Sequence, residues 1–573
     1  MSGAASEKQV RAADPVQSTW LSANAGSGKT RVLTDRVARL LLAGTEPQRV
    51  LCLTYTKAAA SEMQNRLFAR LGEWAMLPEA NLRAALRELG VDGTIDGQVL
   101  SKARRLFARA IETPGGLKIQ TIHSFCAALL RRFPLEARVS PNFMEMDERA
   151  AKLLRNEVAE ELAAGGDVGA FDAIAGLFSG SDLSDLLGDI SRNSDAFSQP
   201  FQWGDALQLF NLPGGFNAKE LVSDIFLGGE AQLFSALVPQ LLASGQTDSK
   251  SGKKLRDCDF DNPDLTTLAT LEDVLLYGAK AKTGPYSAKL GNFPTKNLRD
   301  GPVCELMPRL EALMLRVEAG RDLRLALTAA EKAMALHQFA EAFLPRYEAR
   351  KAASGWLDFD DLIRRAGALL SDRSVAAWVL FRLDGGIDHI LVDEAQDTSP
   401  GQWQVIERLA EEFTAGEGAR EEGRTIFVVG DKKQSIYSFQ GADLAAFDRM
   451  HDHFREKYEN VGVALQRLTL EHSFRSSDAI LRVVDLTFDE RVNRGLGGEF
   501  KHIAFNTNLP GRVDLWAPVP KAADPETENW YDPKDLLSDE HETVILARKI
   551  AGEIRNMIDL GVQIETKYGA RPV

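Results

Sequence analysis

Residues 23–30, Ala-Asn-Ala-Gly-Ser-Gly-Lys-Thr, have the types and spacing that hold a polyphosphate. Between a strand and a helix, such a Gly-rich turn clusters backbone N–H groups beside the positive end of the helix dipole. Ala23, Asn24, Ala25, Gly26, Ser27 and Gly28 would form the cradle. Lys29 would reach the β- and γ-phosphates, and the Thr30 hydroxyl would hold Mg²⁺. One position departs from the pattern G-x-x-x-x-G-K-[ST], because Ala23 stands where the first Gly is expected. The competing reading is an ordinary Gly-rich turn.

A second candidate follows an apolar stretch, Ile390-Leu391-Val392, that ends in Asp393 and Glu394. There Asp393 can sit beside Mg²⁺, and Glu394 near the γ-phosphate can take the proton from an attacking water. Alone, this would be an acidic strand-end turn. Together with the phosphate loop it points to hydrolysis of ATP or GTP. A third stretch, Val428-Val429-Gly430-Asp431-Lys432-Lys433-Gln434-Ser435-Ile436-Tyr437, ends another apolar strand in a polar turn. The Gln434 amide can sense the γ-phosphate or the water. Tyr437 and Phe439 follow closely, and aromatics beside a nucleotide sensor suit base stacking on a single strand. Plain core packing accounts for the two rings equally well.

These groups need strands and helices to position them. Thr19–Ser22 and Val50–Thr54 read as strands. Thr30–Leu42 reads as a helix with Leu33, Val37, Leu40 and Leu41 on one face and Gly44 placed to end it. Lys57–Leu71 reads as a helix, and Ile119–Thr121 as a strand leading into a helix over His123–Phe133. From about 150 to 340 the chain is rich in Ala, Leu and charge, with helical patterns over Glu148–Leu162 and Ala326–Lys351. Polar connectors are expected over Ala243–Arg256 and Gly278–Gly301. Strands return at Ile387–Val392 and Thr425–Val429. Beyond 459 a strand is expected near Val513–Trp516, then a loop over 523–539 and a helix near Glu540–Leu560.

At 573 residues, the chain has room for about three or four domains. No apolar run approaches the roughly 18 residues that span a bilayer. The polar N-terminus lacks a signal peptide's apolar core, and four cysteines without CxxC spacing argue against a disulfide framework or zinc module. These features fit a reducing cytoplasm. The formal charge of −14 does not suggest a nucleic-acid binder, yet an internal groove needs only a local basic lining. Lys102-Ala103-Arg104-Arg105, Arg131-Arg132 and Arg364-Arg365 are candidate clusters, although each reads more simply as a solvated helix face.

The ordered set of motifs resembles the superfamily 1A helicases, the UvrD/Rep/PcrA and RecB group. The matching stretches are 23–30, 53–63, 121–125, 357–362, 393–397, 430–443 and 473–476. Ala23 is a usual variant in that group. Within it, Trp20–Gly26 and Gln434–Asp443 most resemble the AddA branch of helicase-nuclease subunits. The resemblance implies a P-loop, RecA-like α/β core (1–150 and 340–458), a mostly helical insertion (151–339) and an incomplete second RecA-like domain (459–573). ATP and Mg²⁺ would lie in the cleft between the RecA-like units. Gln9 matches the residue reading the adenine edge, and Arg31 and Phe474 the pair sandwiching its ring. Lys29, Glu394, Gln434 and Arg475 would serve the γ-phosphate, with Thr30 and Asp393 on the metal.

Tyr55, Thr56, His123, Tyr437 and Phe439 match DNA-contacting positions. His123 could equally be a core histidine and Tyr55 a packing residue. Phe439 and Gln440 depart from the Trp and Arg more usual in UvrD. Counterparts of the later helicase motifs and of a C-terminal nuclease are not found. The expected function is therefore an ATP-dependent 3′–5′ DNA helicase of double-strand-break repair. It would act on single-stranded and tailed duplex DNA with an AddB-like partner and without a membrane. A solitary UvrD-like repair helicase and a nucleotide-gated DNA-binding scaffold without turnover are the alternatives.

Overall fold

The computed structural model of the chain describes residues 2–165, 168–177, 181–282, 284–372, 374–382, 386–414, 423–436, 442–488, 502–521, 541–566 and 569–573. It divides into two compact units, Met1–Phe143 with Asp361–Val573, and Met144–Asp360. In chain order the strands used below are β1 (Thr19–Ala23), β2 (Val50–Thr54), β3 (Lys118–Thr121), β4 (Met144–Glu145), β5 (Trp356–Leu357), β6 (His389–Val392), β7 (Thr425–Gly430) and β8 (Gln466–Leu470).

The first unit is built on a six-stranded sheet, ordered β3-β2-β6-β7-β1-β8. Every pairing in it is parallel. Parallel sheets are covered on both faces, so their inner strands are apolar throughout. Val-Leu-Cys-Leu-Thr of β2 and Thr-Ile-Phe-Val-Val-Gly of β7 are accordingly buried at every position. Alternation along each strand sorts the side chains. On one face Leu21, Cys52, Leu391, Phe427 and Val429 join Leu33, Val37, Met63, Leu67 and Leu106. The helices there include α1 (Ser2–Ala12), α2 (Lys29–Ala43) and α3 (Lys57–Met76). Trp20 points the other way and stacks on Trp403 at 5.8 Å, with Phe447 and Phe454 beside it. Gly44 ends α2 with a φ of 119°.

A buried guanidinium ties α2 to this sheet. Arg36 is fully enclosed and donates to Gln17 O at 2.6 Å and Thr425 Oγ1 at 3.0 Å. Burial pulls its pKa down to about 9. Thr425 Oγ1, already accepting from Arg36, lies 2.8 Å from His389 Nδ1 and is placed to donate to it. Burial and the Arg36 charge push His389 down to about 4.

The second unit is helical. A 48-residue helix, Met307–Ser354, runs through it. Leu310, Leu313, Met314 and Val317 meet one cluster, and Phe339, Phe343 and Tyr347 another. The unit's two ends are stitched together. β4 pairs in parallel with β5, and Met144 N donates to Gly355 O at 2.9 Å.

Three expectations need correction. Residues 246–256 form a helix, Gln246–Arg256, rather than a connector. Its few apolar groups suffice because Gly252 lets it approach closely; a Cβ there would lie 3.0 Å from the Leu241 Cβ. Val513–Trp516 is not a strand, and Leu515 is 97% exposed. The strand β8 lies beyond the expected boundary at 459, yet it pairs with β1 in the first sheet. The expected helix near 540–560 is present as Glu542–Asp559. No single helix among the described residues is long and apolar enough to cross a membrane.

The histidine gives a pH signature. Between about pH 4 and 6.5 the unfolded chain binds a proton at His389 that the folded chain refuses. This contribution is complete above pH 6.5 and is lost as pH falls through the window. It amounts to at most about 3 kcal/mol. Chemical denaturation of the wild type and His389→Gln at pH 5 and 7.5 should show a smaller pH difference in the variant; equal differences would refute the assignment.

Candidate functional site

Because the sheet is parallel, the turns after its strands emerge along one edge. Thr54 pairs with Thr121, Leu53 with Val392, Val392 with Val428, and Ser22 with Gly430. Tyr55 and Thr56 therefore follow β2 beside His123 after β3. Asp393 and Glu394 follow β6, the Lys432–Gln434 turn follows β7, and residues 23–30 follow β1. Ser473-Phe474-Arg475 come after β8 on the far side.

The phosphate loop is held by its neighbours. Asn24 N donates to Leu470 O at 3.1 Å, and Phe474 N to Gly26 O at 2.8 Å. Gly26 and Gly28 have φ of 72° and 88°, the left-handed region that glycine enters without penalty. Side chains are also excluded by contact. A Cβ on Gly26 would lie 2.7 Å from the Arg475 Cβ, and one on Gly28 2.6 Å from Gln9 Nε2. Arg475 is thus placed against the loop. Gln9 is buried and donates to Ser27 O at 2.9 Å. It shares a small cleft with Lys8, Ser27, Glu471, His472 and Phe474. Phe474 packs on Phe505 at 4.3 Å, whereas Arg31 directs its guanidinium to Glu88 at 2.7 Å.

Lys29 opens α2, and its Nζ lies 2.7 Å from Glu394 Oε2. Glu394 has a φ of 50°, uncommon for a residue with a side chain, and it starts the short turn Ala395–Asp397. Asp393 is buried, and its carboxylate accepts from Glu394 N at 3.0 Å. Burial, then the Glu394 charge, raises its pKa to about 7 against the opposing pull of Lys29. A buried carboxylate so short of compensation fits a cation ligand, and Thr30 can add a hydroxyl from the first turn of α2.

Gln434 donates to Asp431 Oδ2 at 2.6 Å. Thr56 caps α3, accepting from Ala59 N, and Thr121 caps the helix that begins at Ile122 and carries His123. Tyr437 and Phe439 lie outside the described residues.

Residues 5–455 match the UvrD/REP helicase N-terminal domain. The chain belongs to the UvrD/REP helicase family. It is 28% identical over 513 residues to an ATP-dependent helicase/nuclease subunit of Levilactobacillus brevis, covering 83% of this chain and 38% of that protein. The protein of the same name from Bacillus velezensis is 25% identical over 580 residues, covering 94% and 43%. This UvrD/REP family chain spans less than half the length of these relatives.

The candidate basic clusters have local partners. Arg104 donates to Leu77 O, Arg131 lies over the Phe143 ring, and Arg364 pairs with Asp361. Sequence reasoning assigned no role to Gln396 or Asp431, which connect the acidic turn to the Gln434 turn. Both stand inside the quoted motifs, but only the strand register brings them together.

Lys29→Ala should weaken ATP–Mg²⁺ binding by about 1.5–3 kcal/mol through loss of charged hydrogen bonds. Titration with a fluorescent ATP analogue, beside a thermal melt, checks this. Wild-type affinity in the folded variant would remove the phosphates from this loop.

Proposed function

We propose that this chain is the motor part of an ATP-dependent DNA helicase that moves 3′ to 5′ along a single strand. The observation that carries the reading is the convergence on one sheet edge of Lys29, Asp393 and Glu394, with Gln434 on the adjoining turn. In this reading ATP lies over residues 23–30. Lys29 leaves Glu394 for the β- and γ-phosphates, and Arg475 approaches from the β8 side. Asp393 and Thr30 would hold Mg²⁺, which supplies charge neutralisation at the phosphates. Glu394 orients a water and accepts its proton. Gln434 senses the γ-phosphate, and Gln9, Arg31 and Phe474 recognise the adenine.

The same edge supports a DNA path. Tyr55, Thr56 and His123 stand on the neighbouring turns after β2 and β3. In the proposal they touch a single strand together with Tyr437 and Phe439. A second RecA-like domain beginning beyond β8, which belongs to the first sheet, would alternate its grip with the first. The helical insertion would be domain 1B. The names of the relatives favour a helicase/nuclease subunit; in the proposal it serves cytoplasmic double-strand-break repair and takes single-stranded and tailed duplex DNA and an AddB-like partner. The partner and the repair role in this reading rest on the resemblance of Trp20–Gly26 and Gln434–Asp443 to the AddA branch.

Glu394→Gln tests the chemistry. It keeps size and hydrogen bonding but cannot take the proton, so turnover should fall by on the order of 10²–10⁴-fold. ATP–Mg²⁺ affinity should persist; loss of both together would make Glu394 a ligand or structural residue. Tyr55→Ala tests the path. Binding to a labelled oligothymidylate should weaken by about 1–3 kcal/mol if a base stacks there. Unchanged DNA binding, whatever the thermal stability, would place the strand elsewhere.

A further inference from the structure

The Gln396 side chain is 1% exposed and sits between the two turns that carry the proposed chemistry. Its Nε2 donates to Glu394 Oε2 at 2.9 Å and to Asp397 Oδ2 at 3.0 Å. Its Oε1 accepts from Asp431 N at 2.9 Å. Asp431 in turn accepts from Gln434 Nε2 at 2.6 Å and from Lys433 N at 3.2 Å. A hydrogen-bonded chain therefore runs from Glu394 through Gln396 and Asp431 to Gln434. Ser435 Oγ reinforces it, donating to the Gln396 carbonyl at 3.4 Å.

We infer that Gln396 is a positioning residue that couples the Glu394 carboxylate to the Gln434 turn. The inference rests on the hydrolysis reading above and adds a coupling path to it. Among the described residues, Glu394 Oε2 accepts from Lys29 Nζ and Gln396 Nε2. When Lys29 moves to the phosphates, Gln396 keeps hold of that oxygen. The orientation of the proton acceptor then depends on the turn after β7, and a shift of that turn reaches Glu394.

An amide is the side chain this junction needs. It offers two donors to two carboxylates and one acceptor to a buried N–H. A glutamate would add a third carboxylate beside Glu394 and Asp397. A leucine would leave the buried Asp431 N–H without its partner. The approach also requires a bare Cα at Gly430. A Cβ there would fall 2.9 Å from Gln396 Oε1 and 2.8 Å from Phe447 Cε2.

The test is hydrogen exchange across residues 431–436 with and without AMP-PNP and Mg²⁺, on the wild type, Q396A and Q396E. The wild-type turn should exchange more slowly when the nucleotide binds. Both variants should lose that response, while nucleotide affinity stays within about tenfold, or 1.4 kcal/mol. Q396E retains volume and the acceptor for Asp431 N, so it cuts the link to Glu394 if Q396A is too unstable to use. A wild-type response in folded Q396E, or no response in the wild type itself, overturns the coupling. So does collapse of Q396E, which would make the amide a core element. Lys29→Ala separates the two readings. If it binds AMP-PNP normally, the hydrolysis site is wrong; if it does not and Q396E responds like wild type, only the coupling fails.

Discussion

Parallel hydrogen bonding of the six strands is the constraint on which the rest depends. It sends every strand of the sheet the same way, so every turn with reactive side chains leaves by the same edge. Register does the finer work. With Val392 opposite Val428 and Ser22 opposite Gly430, the acidic turn, the Gln434 turn and the phosphate loop start at similar heights. A slip of one residue would exchange the faces on which Trp20 and Leu21 are buried. The two cores therefore hold the geometry of the edge.

Two buried charges show how differently this fold treats ions. Arg36 is enclosed, but its two terminal nitrogens donate to carbonyls and a hydroxyl, and the guanidinium lies over the Phe427 face. It joins α2 to β7. Asp393 is also buried, yet burial and Glu394 outweigh the help from Lys29 and one backbone N–H. In the proposed reading, a bound cation would supply the compensation that this carboxylate lacks. The first charge is a structural fastener. The second is the proposed ligand site.

Much of the sheet was legible because its strands are short apolar runs ending in distinctive polar turns. Thr19–Ser22, Val50–Thr54 and Thr425–Val429 lie within observed strands. β8 was hidden, since Gln466-Arg467-Leu468-Thr469-Leu470 has an edge strand's mixed composition. Gln246–Arg256 was hidden for a related reason. It has few apolar residues, and its packing depends on Gly252 approaching Leu241 and Leu242. Lys29, Asp393, Glu394 and Gln434 could be singled out because each stands at a fixed place in a short motif. The partners Gln396 and Asp431 could not, because a bond across thirty-five positions of sequence depends on register. The Arg31 contact with Glu88 likewise joins separate helices and leaves no local pattern.

The pairing of β4 with β5 changes the folding problem for the chain that carries it. A long flexible excursion between two parts of one sheet would impose a loop-closure penalty that grows with the logarithm of its length. Here the second unit brings its own first and last residues together, through Met144 N to Gly355 O and Met146 N to Leu357 O. Once it has folded, the host chain sees in its place something close to a tight turn. Topologically, β3 and β6 become near neighbours in an effective chain much shorter than the written one. The insertion can thus vary in length and sequence while the entropy of assembling the sheet around it stays almost the same.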